Sequence, residues 1–441
     1  MDDKRIIEGK WWIHGDGQPA VFGTLIFDRS SDLKLIAKNP TSRSIDEAFA
    51  DAFDAATVRP VLHGEDEHGK RVSLFGCGIE KRSVSGGMET IEIGALAGLL
   101  GEQISSWDSA TFRTAGMRFT LLHEWLAEQV IENTKTADDR PAVTLRPPRE
   151  NWVYTLPDGE RLRIDREVQT HHSSSQFAWN FSHRVWLHFA PENPLPVITT
   201  RASQFRQLLT LLVGVPVYNE SFELFHTDPF EPNGGFPEVV ELMRPNLGLA
   251  GAPRDIHAHQ MIVPFAEIDS RFQQVLDTWF GTYQRIDPVL SLFFAVFFNK
   301  RLPVTAKFLQ LVQALEAYHG RSARFSYTDD DAASQPTLAQ RLKDIFSLHA
   351  SEAGELFQGI PDLTQRIRNT RNYLTHSGQR RGSLVFSEAE LSQVTFWLLP
   401  FLQICLLKDL GIDGAPVKRI VHRFSNVHFI DLESGEPNVA N

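Results

Sequence analysis

The residues best suited to chemistry lie together in Asp362–His376, DLTQRIRNTRNYLTH. Leu363, Ile367, Thr370 and Leu374 recur at helical spacing and form a candidate buried stripe. Arg368, Asn372 and His376 fall on the other face. At about 100° per residue, Asn372 and His376 stand about 40° apart, one turn from each other. Arg371 is about 140° from His376, within reach of a long side chain. Gly378 is the expected helix cap, and the negative end of a helix favours cations. From Leu363 to Ser387 there are five arginines and no Asp or Glu. Such a local cationic patch suits a polyphosphate backbone.

The chemistry these types could perform is cleavage of an RNA phosphodiester. One group must take the 2′-hydroxyl proton, one must stabilise the charge on the phosphorane, and one must protonate the leaving 5′-oxygen. A histidine can do the first or the third. An arginine can do the second, and an asparagine can orient the histidine or the phosphate. One helix supplies one histidine, and a symmetric dimer would supply another. The competing reading is a solvated helix face ending at an ordinary cap. Arg366, Arg368, Arg380 and Arg381 are candidates for general RNA or interface contacts, each with a solvated charge run as its alternative.

The elements that must position this helix change texture along the 441 residues. Strand-like runs fill the first part: Trp11–Ile13, Phe22–Phe27, Val61–His63, Arg71–Phe75, Met88–Ile93, Arg118–Leu122, Val185–Phe189 and Val215–Phe225. Gly64–Lys70 reads as a polar turn. Trp152–Thr155 and Arg161–Ile164, with Asp158-Gly159 between them, read as a hairpin. Phe205–Val213 has helical spacing. Residues 227–255 are rich in Pro, Gly and Asn and read as a connector. Helical periodicity then predicts Phe272–Tyr283, Asp287–Phe298, Val304–His319, Leu338–His349, Asp362–His376 and Glu388–Leu410, with Pro288, Pro303 and Pro361 near helix starts. The expected domains are a β-rich part over 1–260, an all-α bundle over 265–412, and a strand-like tail over 413–441.

Bulk properties narrow the function. Hydrophobic residues are 42% and charged residues 22%, ordinary for a soluble globular protein. The net charge of −11 disfavours contact with nucleic acid through the global field and leaves room only for a local basic patch. Two cysteines, Cys77 and Cys405, make no disulfide framework or zinc-finger spacing. The acidic N-terminus does not read as a signal peptide. The greasy runs Val289–Phe298 and Phe396–Leu407 are too short for a bilayer span. A cytoplasmic location with no membrane partner is the expectation.

Arg371-Asn372-Tyr373-Leu374-Thr375-His376 resembles the R-N-x-x-x-H form of the motif of HEPN ribonucleases. Phe308–His319, with Leu315-Glu316 ahead of Tyr318-His319, is similar to the first long helix of the ApeA-like HEPN branch. Gly9-Lys10-Trp11-Trp12, Gly23-Thr24-Leu25 and Arg118–Leu126 resemble the ApeA N-terminal domain. The resemblance covers most of the chain. It implies an α+β protein in which a β-rich N-terminal domain precedes an all-α HEPN helical bundle. It implies metal-independent RNA cleavage, a homodimer with the active site at its interface, and abortive antiphage defence. His376 would be the acid/base group, Arg371 would bind the scissile phosphate, and Asn372 would position one of them. Glu316 would orient the pair from the neighbouring helix, and Glu316 with His319 otherwise reads as a helix-surface ion pair. The N-terminal part would hold the nuclease quiet until infection and answer a phage-derived trigger. A different class of function is a HEPN module that binds RNA or a nucleotide without cutting, acting as sensor or scaffold.

Other candidates are weaker. Asp255, His257 and His259 would share one face if they formed a strand, but a fourth ligand is not identifiable, so no metal and no cofactor are expected. His171–His172 runs into Ser173–Ser175 and reads as loop. Trp11 and Trp12 could stack on a base, but packing in a sheet is the better reading. No phosphate-binding glycine loop or serine-hydrolase elbow stands out.

Overall fold

The computed structural model describes residues 4–15, 20–40, 60–85, 88–126, 131–135, 141–145, 151–172, 177–231, 237–246, 256–325, 336–376, 384–425 and 427. The chain divides into two compact units, Met1–Leu209 with Val217–Ala258, and Thr210–Pro216 with His259–Asn441. The fold is thus α+β, a β-rich N-terminal region followed by a helical one.

In chain order the strands are β1 (Lys4–Ile13), β2 (Val21–Asp28), β3 (Leu33–Pro40), β4 (Leu62–Asp66), β5 (Arg71–Phe75), β6 (Gly78–Ser85), β7 (Met88–Gly94), β8 (Ala97–Leu100) and β9 (Thr111–Phe119). They continue as β10 (Ile131–Lys135), β11 (Pro141–Leu145), β12 (Asn151–Thr155), β13 (Arg161–His172), β14 (Phe177–Pro194), β15 (Asn219–Phe225) and β16 (Val240–Met243). Among the described residues fourteen form one sheet, ordered β12-β13-β14-β9-β15-β16-β8-β5-β4-β1-β2-β3-β7-β6, while β10 and β11 pair with each other. The ladders among the described residues are antiparallel. Among the described residues two α-helices accompany them, α1 (Leu122–Leu126) and α2 (Leu195–Val213).

Alternation along the strands sends one face inward. In β1, Ile7, Trp11 and Ile13 join a core with Leu25, Leu35 and Leu62. Trp11 is fully buried, and its Nε1 donates to the Gly23 carbonyl at 3.1 Å. It packs in the sheet rather than offering a stacking platform. The hairpin at Asp158-Gly159 forms, with Trp152 opposite Ile164 and Gly159 at φ +85°.

Four sequence expectations change here. Gly64 belongs to β4, opposite Trp11, so the turn is shorter than Gly64–Lys70. The connector over 227–255 contains a strand, β16, because Val240, Leu242 and Met243 are buried between β15 and β8. Helix α2 begins at Leu195, ten residues before the visible periodicity, with Pro196 in its first turn, where a missing N–H costs nothing. His171 and His172 close β13 instead of lying in a loop.

The second unit is built of α3 (Phe272–Phe298), α4 (Val304–Arg321), α5 (Leu338–Leu348), α6 (Ala350–Leu356), α7 (Leu363–Thr375), α8 (Glu388–Asp409) and α9 (Ala415–Ser425). The two helices expected over 272–298 are one, running through Pro288. An interior proline costs roughly 3 kcal/mol, but Ile286, Val289, Leu290, Phe293 and Phe294 continue the buried stripe across it. Burial of several such side chains, at roughly 1.5–3 kcal/mol each, outweighs that loss. Residues 415–425, expected as strand-like tail, form α9, whose Val417, Ile420 and Val421 are buried at helical spacing. Helix α8 is long and apolar enough to cross a membrane, unlike the shorter run read from the sequence, yet 78% of its apolar window is buried in the protein. That is the behaviour of a core helix: Trp397, Leu398, Phe401 and Leu402 are fully buried, and Phe357 meets Trp397 and Phe401 edge-on. Both cysteines are buried, and neither is in a disulfide.

Candidate functional site

Helix α7 packs against α4 and α5 through a narrow stripe. Ile367 and Thr370 are buried, whereas Leu363 and Leu374 are only half-buried. The Thr370 hydroxyl accepts from the Phe386 backbone N–H at 3.0 Å, and the Phe386 ring meets Phe308 of α4 edge-on. These contacts fix the helix in rotation. One turn can therefore face outward at its C-terminal end.

That turn carries the expected constellation. Asn372 and His376 are exposed, and Arg371 is half-buried. Arg371 Nη1 donates to Asn372 Oδ1 at 3.3 Å. The helix closes one residue earlier than the sequence suggests. His376 is its C-cap, with extended backbone at φ −123° and ψ 147°, and its N–H donates to the Asn372 carbonyl at 3.0 Å. Gly378, the expected cap, lies outside the described residues, as do Arg380 and Arg381. Thr375 Oγ1 donates to the Arg371 carbonyl at 2.8 Å, satisfying one last-turn acceptor. The arrangement presents an imidazole, an amide and a guanidinium on one solvent-facing turn. Chemically, such a turn can exchange a proton and bind a phosphate oxygen at neighbouring positions.

The supporting residues separate. Arg368 lies half-buried beside Asn369, to whose Oδ1 its Nε and Nη2 donate at 3.4 and 3.1 Å. Arg366, expected at an RNA or interface contact, is 9% exposed and faces the protein. Its Nη2 donates to Glu390 Oε1 at 2.7 Å, and its guanidinium lies 4.4 Å from the Phe386 ring centroid. Burial pushes the Glu390 carboxyl up, but hydrogen bonds from Arg366 and Ser387 outweigh it and hold that carboxyl below its ordinary value. His319 is 1% exposed, stacked on Phe325 at 4.4 Å, with Nε2 3.1 Å from Asp344 Oδ2. Its polar partner is thus Asp344 of α5, not a surface Glu316, and burial moves its pKa down despite that carboxylate. Glu316 is half-buried on α4, where its backbone carbonyl accepts from Arg341.

Sequence reading missed Glu390 and Asp344, the carboxylates that hold Arg366 and His319. The first had a signal: Ser387 and Glu390 have capping-box spacing, and both reciprocal bonds form. The second had none, because Asp344 meets His319 only through the packing of two helices. The D-x-H-x-H reading fails on geometry: Ala258–Gln260 is a 3-10 turn, so His257 and His259 do not alternate on a strand, and Asp255 lies outside the described residues. Among the described residues no three His, Cys, Asp or Glu side chains are grouped to hold a metal ion.

Two families match the chain. ApeA N-terminal domain 1 covers residues 6–279, and Apea-like HEPN covers residues 309–415, from α4 to the start of α9. No curated protein and no solved structure matches. HEPN domains are usually nucleases, and an ApeA-like one points to antiphage defence with a nuclease-type module. With the first match spanning more than half of its residues, the chain belongs to the ApeA family, an ApeA N-terminal domain 1 followed by an ApeA-like HEPN domain.

Proposed function

We propose that the helical domain is a metal-independent endoribonuclease of abortive antiphage defence, with Arg371, Asn372 and His376 at its active centre. The observation that carries this reading is the exposed C-terminal turn of α7. There the Arg371 guanidinium holds the Asn372 amide one turn from an accessible His376 imidazole. His376 exchanges a proton with the attacking 2′-hydroxyl or the leaving 5′-oxygen, Arg371 neutralises the phosphorane, and Asn372 orients one of them. Attack of the 2′-oxygen on phosphorus breaks the bond to the 5′-oxygen. The products are a 2′,3′-cyclic phosphate and a 5′-hydroxyl. Each chain brings one histidine to this turn, so a homodimer through the HEPN domain would supply separate acid and base groups. The β-rich domain would keep the nuclease inactive in the cytoplasm until a phage-derived trigger arrives.

The test is cleavage of total cellular RNA by purified protein, with ends mapped and EDTA present. His376→Ala and Arg371→Ala should each lower cleavage by about 100-fold or more with unchanged circular dichroism. Wild-type cleavage by either variant sinks the assignment. Retained RNA affinity and biological effect in His376→Ala would instead indicate a module that binds without cutting.

A further inference from the structure

The β-rich unit contains a polar cavity of about 230 Å³, formed wholly by residues of that unit. Three arginines line it: Arg29 from the turn after β2, Arg206 from α2 and Arg244 from just beyond β16. Among the described residues no acidic side chain lines it. Thr199 and Ser203 share the helix face of Arg206, at positions i, i+4 and i+7. We propose that this cavity binds the phosphate group of a small molecule, either free phosphate or a phosphomonoester.

Several observations converge on a ligand. Asn219 and Ser221 line the cavity from β15, and each carries a buried side-chain oxygen, Oδ1 and Oγ, with no hydrogen-bond partner among the described residues. Buried polar atoms are nearly always paired; the Ser221 hydroxyl can donate to a phosphate oxygen, whereas Asn219 Oδ1 only accepts and takes a P–OH or an alcohol of a monoester. The β9–β15 register shifts between these two residues, and such bulges re-aim side chains next to binding sites. Asn246 ties the walls together: its backbone N–H donates to the Arg29 carbonyl at 2.6 Å and its Nδ2 to the Asn219 carbonyl at 2.9 Å. The arginine-bearing turn is therefore held in place before any ligand arrives.

Charge and size choose the ligand class. Glu241 neutralises part of the Arg29 charge, 3.4 Å away, and also pairs with Arg5. Arg206 and Arg244 add two further guanidinium groups to the wall, and the planar fork of a guanidinium fits phosphate oxygens in pairs. The volume of about 230 Å³ lies below the roughly 300–1,000 Å³ usual for drug-sized ligands, a size that suits a phosphate group and a small substituent. Phe222, Leu242 and Pro245 give an apolar wall for the uncharged part of a monoester. The proposal does not depend on the nuclease reading, since Arg371 and His376 belong to the other unit.

The experiment is isothermal titration of the full chain at low salt with inorganic phosphate, AMP, adenosine and malonate. Phosphate and AMP should compete for one site, adenosine should not bind, and malonate should bind at least tenfold more weakly. Tighter binding of AMP identifies a phosphomonoester, and equal affinity identifies the free ion. Arg244→Ala, at an exposed position, and Arg29→Ala should each weaken binding at least tenfold, and Ser221→Ala severalfold. His376→Ala and Arg371→Ala should leave it unchanged. Absence of saturable phosphate and AMP binding overturns the proposal. So does unaltered affinity in folded Arg244→Ala, equal affinity for malonate, or loss of binding in Arg371→Ala.

Discussion

Truncating Arg366 to alanine should unfold the helical domain more readily without removing a nucleic-acid contact. Arg366 Nη2 donates to Glu390 Oε1 at 2.7 Å, and Glu390 keeps a second bond, from the Ser387 N–H to Oε2 at 2.8 Å, after the truncation. The direct loss is one hydrogen bond between charged groups, about 1.5–3 kcal/mol, and a cation–π contact with Phe386 of about 0.5–1 kcal/mol. The Glu390 side chain is 29% exposed, so water recovers part of its solvation and the lower range applies. A net cost of about 2–3 kcal/mol follows, or about 4–12 °C in Tm for a domain of this class. Thermal melting by circular dichroism measures it. A double-mutant cycle with Glu390→Gln should show coupling of about 1–2 kcal/mol. The Glu390 pKa is depressed in the folded state, so the pair's contribution is present above the ordinary carboxylate range. It is lost as pH falls through the depressed folded value. An Arg366→Ala variant that melts with wild-type protein but binds RNA more weakly would refute this reasoning and return Arg366 to the RNA-facing side.

Two further outcomes test the packing. His349 is buried with neither ring nitrogen hydrogen-bonded among the described residues, and burial, reinforced by Lys408, lowers its pKa to about 4. The unfolded chain takes up that proton nearer pH 6.5, so helical-domain stability should fall as pH drops from about 6.5 to about 4, by at most about 1.4 kcal/mol per unit. His349→Leu should flatten that slope in denaturant titrations at pH 5 and 7, and an unchanged slope would count against a neutral buried imidazole. Gly64→Ala in β4 would drive a Cβ into the Trp11 indole, which is fully buried and held to the Gly23 carbonyl. An overpacking cost of about 1–3 kcal/mol is expected, read as a lower urea midpoint for the β-rich domain; no change would show that the indole has room to move.

Local pattern carried much of this protein into view. Short β-rich runs marked the end of β1 and most of β2 and β5, the Asp158-Gly159 turn marked a hairpin, and 3.6-residue periodicity marked α4, α7 and α8. The R-N-x-x-x-H spacing placed Asn372 and His376 one turn apart, because rotation per residue is a property of the helix alone. Elements fixed by distant burial were not legible. Strand β16 lies in Pro- and Gly-rich sequence and exists because β8 and β15 cover it. Helix α3 passes through Pro288 because its apolar stripe is buried on both sides.

The arginines of α7 separate what sequence determines from what tertiary structure decides. Sequence determined that Arg366, Arg368 and Arg371 share one helix in a stretch free of acidic residues. It could not assign them different roles, since a guanidinium's task is set by its partners. Arg366 meets Glu390 and Phe386 across a packed interface, whereas Arg371 turns to Asn372 at an open helix end. The same holds for the cavity that gathers Arg29, Arg206 and Arg244. Electrostatic contact depends on distance in space, and only the folded chain sets that distance.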